Sequence, residues 1–209
     1  MTDVRSSTPT AILAAAIIAG AGVGWGAGMA AGGLLSEAEP GAGRLVGDGP
    51  WRFPEGVGRT DASALTRARL ANSGPLGLSA SEAVYFLAYT DGEGRRLSSH
   101  CEYTVSGSGI DARWWSLTVY DASTYDFLSN LNDRASWTSA DLDVQADEAW
   151  TIRLGPAPRP APWIPTAANE RTALELLLRV YNPSDGLREQ LPEIGLPEIE
   201  RNGCDTAPG

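Results

Sequence analysis

Three regimes of hydrophobic patterning follow one another along the chain. From Thr10 to Leu35 the run "TAILAAAIIAGAGVGWGAGMAAGGLL" is apolar or small throughout, with no charge between Pro9 and Ser36. At the helical rise of about 1.5 Å per residue it is long enough to cross a bilayer core. A transmembrane helix over residues 10–35 is therefore expected, behind a short cytoplasmic N-terminus, 1–9. Residues 36–50, which include "EAEPGAGRLVGDGP", have no hydrophobic period and are dense in glycine and proline, so they read as a linker. The folded unit is expected over 51–209. Within it, "TDASALTRARLAN" has a capping candidate in Thr60 or Asp61, helix-favouring residues, and a stop at Asn72-Ser73-Gly74-Pro75, which predict a short helix.

Beyond that stop the period becomes two. "AVYFLAYT" is followed by the turn signal Asp91-Gly92-Glu93-Gly94, after which "RRLSSHCEYTV" resumes extended character. "RWWSLTVYD" comes next, then "ASWTS", "LDVQ", "AWTIRLG" and "LELLLRVYN", with turns between most of them. Strands joined by turns rather than by long helices indicate an antiparallel sandwich or barrel. In "ARWWSLTVYD" alternate side chains point to opposite faces. Trp115, Leu117 and Val119 are expected in the core, while Trp114, Ser116, Thr118 and Tyr120 form an amphipathic face. Flat aromatic surface beside short hydroxyls suits a sugar or another small polar ligand. The same residues are also ordinary strand formers.

The apolar N-terminal segment is longer than the usual signal-peptide core, which favours a retained anchor, although Ala19 to Ala21 and Ser36 to Ala38 fit cleavage sites. Arg5 before the run, with Glu37 and Glu39 after it, keeps the N-terminus cytoplasmic. The expected location is a bacterial inner membrane, with a single pass and the C-terminal domain in the periplasm. Gly20, Gly24, Gly28 and Gly32 repeat every four residues and form a stripe where helices could approach closely, so homo-oligomerisation through the anchor is a candidate. An alanine- and glycine-rich run also produces such spacings by chance.

Composition narrows the chemistry. The formal charge is −10 and all 16 basic residues are arginine. Lacking lysine, the chain has no Schiff-base residue, no P-loop lysine and no Ser-Lys pair. Its one histidine, His100, excludes multi-histidine metal sites. An acidic chain also lacks the electrostatic footprint of nucleic-acid binding. No cofactor fingerprint or metal motif is present.

Cys101 and Cys204 in an exported domain are expected to form a disulfide. His100 follows Ser98 and Ser99, but adjacency on a strand is poor evidence for a triad. Asp141 and Asp143 would share a face of a short strand, either as paired carboxylates or as solvated edge charge. Arg113 and Arg179, on strands among apolar residues, require partners if buried. The structural reading is an ion pair of Arg179 with an aspartate near Asp121, and the functional one is anion recognition.

The segments "LTRARLANSGPLGLSASEAVYF", "DGEGRRLSSHCEYTV", "ARWWSLTVYD", "PWIPT" and "LLLRVYNPSDGL", in this order and spacing from about Trp51 to Arg201, resemble the DUF1214 family. The matching positions are Trp115 to Thr118, Tyr120-Asp121, Trp163, Pro165, Arg179, Tyr181 and Pro183. The resemblance implies a jelly-roll-like β-sandwich behind an N-terminal membrane segment, and no activity. "QADEA" replaces a DG-type turn and "PWIP" lacks a preceding asparagine, which bears on a shared ligand rather than on the fold. The expected role is binding or structural in the envelope, and the sequence names no small-molecule or glycan ligand. The alternative is a carbohydrate-active or other hydrolytic enzyme or accessory that uses the Trp114/Tyr120 face.

Overall fold

The computed structural model of the chain describes residues 45–47, 49–54, 78–128, 133–144, 148–166, 171–189 and 195–205. The expected transmembrane helix, its glycine stripe and the helix expected after Thr60 lie outside them. No helix among the described residues is long and apolar enough to cross a membrane. The chain runs β1 (Leu45–Val46), β2 (Trp51–Pro54), β3 (Ala83–Ala88), β4 (Cys101–Gly107), β5 (Ala112–Asp121) and β6 (Ser136–Thr138). It continues through α1 (Ser139–Leu142), β7 (Trp150–Gly155), β8 (Trp163–Pro165), β9 (Leu174–Pro183), α2 (Asp185–Glu189) and β10 (Glu198–Cys204).

The fold is mainly β. One sheet has the order β1-β2-β3-β9-β5-β6 and the other β10-β4-β7-β8. All pairings are antiparallel except β7 with β8, which is parallel. Period-two alternation supplies the core between the sheets. Trp115, Leu117 and Val119 of β5 and Leu174, Leu176, Leu178 and Val180 of β9 join Tyr103 and Val105 of β4 and Trp150, Ile152 and Leu154 of β7 in one cluster. Each such burial is worth about 1.5–3 kcal/mol against exposure. Trp115 and Trp150, from opposite sheets, meet with ring centroids 4.5 Å apart. The Trp51 indole donates to the Pro197 carbonyl at 2.6 Å, tying β2 to the approach of β10.

Three expectations change. The sheet begins inside the expected linker, because Leu45 and Val46 pair with Pro54 and Phe53. The turn at Asp91 does start a hairpin, with Thr90 bridging Arg96, but β3 and β4 then enter different sheets. Of the expected strand "LDVQ", Leu142, Asp143 and Val144 lie among the described residues and form no strand. Thr138 and Asp141 make a reciprocal capping box that starts α1, and Asp143, at φ 52°, ends it in the left-handed region. Local hydrogen bonding to backbone N–H groups thus outweighs the alternation, and Asp141 and Asp143 are cap residues rather than a carboxylate pair.

Candidate functional site

The outer face of the six-stranded sheet gathers the amphipathic residues. Register places Tyr85 of β3, Arg179 of β9 and Ser116 of β5 in one row. Leu87, Leu177 and Thr118 form the next row, and Tyr120 faces Glu175 beyond it. At the other end Trp114 faces Tyr181, with ring centroids 5.0 Å apart. Ala83, Tyr85, Leu87 and Leu177 form a small apolar cluster on this face, and Tyr89, Tyr120 and Tyr181 pack against it.

Ser116 and Thr118 are buried, whereas Trp114 and Tyr120 are half-buried. Arg179 does not pair with Asp121. Its guanidinium reaches along the sheet, donating from Nη1 to Thr118 Oγ1 at 3.2 Å and from Nη2 to the Tyr120 hydroxyl at 2.6 Å. Asp121 instead accepts from the Ser123 backbone N–H at 2.8 Å and the Thr172 hydroxyl at 2.7 Å. Arg113 is exposed and shares the alternation of Trp115, so the structure does not bring it to the face that holds Arg179.

One residue of this face was not singled out from the sequence. Glu175 is only 4% exposed, and its Oε2 has no hydrogen-bond partner among the described residues. Burial raises its pKa above the ordinary carboxyl value, against the lowering effects of a Tyr89 hydrogen bond and the Arg179 charge. The signal was present in β9, where Glu175, Leu177, Arg179 and Tyr181 occupy alternate positions between core leucines and valine. Burial also raises the Tyr85 pKa, while Arg179 acts in the opposite sense.

Other candidates resolve into structure. Cys101 and Cys204 form a disulfide and face each other across β4 and β10. His100 lies beside them, but sulfurs bonded to each other are not thiolate ligands. His100 Nδ1 is 2.7 Å from Ser98 Oγ. Among the described residues no carboxylate orients its ring, so no triad is assembled.

Residues 82–185 match the family described as Protein of unknown function (DUF1214), a span that holds β3, β5 and β9 and with them the whole outer-face site. No curated protein matches the chain. Among solved structures, the VPA0106 protein from Vibrio parahaemolyticus is similar at 24% identity and TM-score 0.53, covering 68% of this chain and 36% of that one. An uncharacterised Burkholderia cenocepacia protein is 18% identical, with TM-score 0.40, covering 66% of this chain and 34% of that one. The chain thus spans about a third of the length of each. The first likeness concerns the fold alone. Through residues 82–185 the chain belongs to the DUF1214 family.

Proposed function

We propose that the protein is a binding module of the bacterial envelope, held to the inner membrane by residues 10–35, with its β domain in the periplasm and its outer sheet face as the ligand site. The observation that carries this reading is the buried Glu175 with an unpartnered oxygen, two rows beyond that of Arg179, which among the described residues is held by hydroxyls. Buried polar groups are normally satisfied, so an unsatisfied one on a face rimmed by aromatics supports a ligand. The disulfide supports an oxidising compartment. A jelly-roll-like connection of the two sheets and homo-oligomerisation through the stripe Gly20, Gly24, Gly28 and Gly32 belong to the same proposal.

Binding is favoured over glycoside hydrolysis, which ordinarily takes two carboxyl groups. Among the described residues of this face, Glu175 is the one carboxyl. The test is a thermal-shift screen of the full chain in detergent against small anions, envelope glycans and calcium, beside Trp114→Ala. Saturable stabilisation that weakens in the variant is expected, and no shift with any compound would refute a ligand face. Protease accessibility of the β domain in spheroplasts checks its location, with protection from added protease refuting a periplasmic domain.

A further inference from the structure

The polar row narrows the ligand class. Arg179 offers five N–H donors, of which Thr118 and Tyr120 take two, and no carboxylate of the described residues lies within ion-pair distance. Its guanidinium is drawn toward Tyr120, the residue directly opposite Glu175 in the register. The free oxygen of Glu175 and the spare donors of Arg179 therefore belong to one neighbourhood, with Leu177 between their backbone positions. Phe127, 62% exposed, stacks on Tyr120 with centroids 5.1 Å apart and supplies apolar surface beside the polar groups.

We propose that this site binds a small organic carboxylate, one oxygen on Arg179 and the other on the Glu175 carboxyl, with the apolar body of the ligand against Tyr120 and Phe127. The inference rests on the binding reading above. Two carboxyl groups can share such a site only if one carries a proton, because a second negative charge would repel the first. Glu175 then donates its O–H to the ligand, and the positive Arg179 balances the anion. The groups facing Glu175 are Tyr89 at the end of β3, Tyr120 on β5 and Arg179 on β9. Of these only Arg179 is charged near neutrality, so Glu175 itself gates binding.

The test uses the full chain in detergent and isothermal titration with benzoate, benzamide as its uncharged analogue, inorganic phosphate and glucose. Benzoate should bind and benzamide should not. Affinity should fall toward tenfold per pH unit above the Glu175 pKa. Glu175→Gln, which keeps a donor, should bind with no such pH dependence, and Arg179→Gln should lose affinity by about tenfold or more. Circular dichroism on each variant confirms that it is folded, and Glu175→Gln tests the pH dependence even if Arg179→Gln does not fold. Equal binding of benzoate and benzamide, a preference for phosphate, or the same pH slope in Glu175→Gln would overturn the proposal. Glucose bound without benzoate would overturn the carboxylate while leaving the binding face intact, and silence from every probe would overturn both.

Discussion

Opening the Cys101–Cys204 bridge should cost the domain a large part of its thermal stability. The two cysteines are 103 residues apart, so the bridge closes most of the folded unit into a loop. In the chain-entropy description a loop of about 100 residues is worth about 4.7 kcal/mol, nearly all of it from restricting the unfolded chain. For a domain of this size that corresponds to a fall in Tm of roughly 10–20 °C. The folded state should survive the loss, because β10 keeps its ladder with β4 and its buried Ile199. Arg201 also keeps its Nε 2.8 Å from Asp91 Oδ2. The assay is thermal unfolding of the full chain with and without a reductant, with thiols counted after denaturation. Cys101→Ala/Cys204→Ala should melt near the reduced protein, slightly lower because Cys101 is 1% exposed and its truncation leaves a small void. Two reactive thiols in unreduced, denatured protein would refute the bridge. An unchanged Tm after both thiols have been freed would refute the loop argument.

Asp91 is 1% exposed and accepts from the backbone N–H groups of Glu93 and Arg95 and from Arg95 Nε. Asp91→Asn should cost about 3 kcal/mol in chemical denaturation, the low end for a buried pair because Arg95 is half-exposed; less than about 1 kcal/mol would contradict this role. Burial alone would raise the Asp91 pKa, but the Arg95 hydrogen bonds and the Arg201 charge hold it below the ordinary value. Its contribution is therefore present above the unfolded carboxyl pKa of about 3.9 and lost as pH falls through the folded one, an acid limb the asparagine variant should lack. Glu175 has the opposite sign: its folded pKa is raised, so stability is lost as pH rises from the unfolded value, about 4.3, through the folded one. Glu175→Gln should accordingly out-melt the parent at about pH 7.5 and lose that advantage near pH 4, whereas a pH-independent difference in Tm would exclude the linkage. At Gly107 an added Cβ would lie 2.9 Å from Trp150 Cζ2, on an indole pinned by Trp115. Gly107→Ala should destabilise by about 1–3 kcal/mol in urea unfolding, and a neutral result would mean that the indole can shift.

Local physics made much of this legible. Because strand side chains alternate, the core role of Trp115, Leu117 and Val119 followed from the spelling of β5 alone, and the sheets bury all three. The same alternation in "LELLLRVY" puts Glu175 and Arg179 on one outer face, but the sequence does not show that Glu175 is buried, because the residues that cover it come from β3 and β5. The spelling Thr138-Ser139-Ala140-Asp141 contains a capping box, yet the alternation of Asp141 and Asp143 with apolar residues imitates a strand.

What the sequence determined by itself is the set of properties that depend on near neighbours: alternation, turn chemistry at Asp91, and which residue types are available for catalysis. The tertiary structure decided which strands meet. β9, late in the chain, lies between β3 and β5, and β4 leaves the hairpin it begins with β3 for the other sheet. Those choices depend on how two apolar faces enclose one core across long loops, a free energy shared among residues far apart in the chain. Arg179 therefore acquired hydroxyl partners instead of a carboxylate, and Glu175 was left buried with an oxygen unpaired.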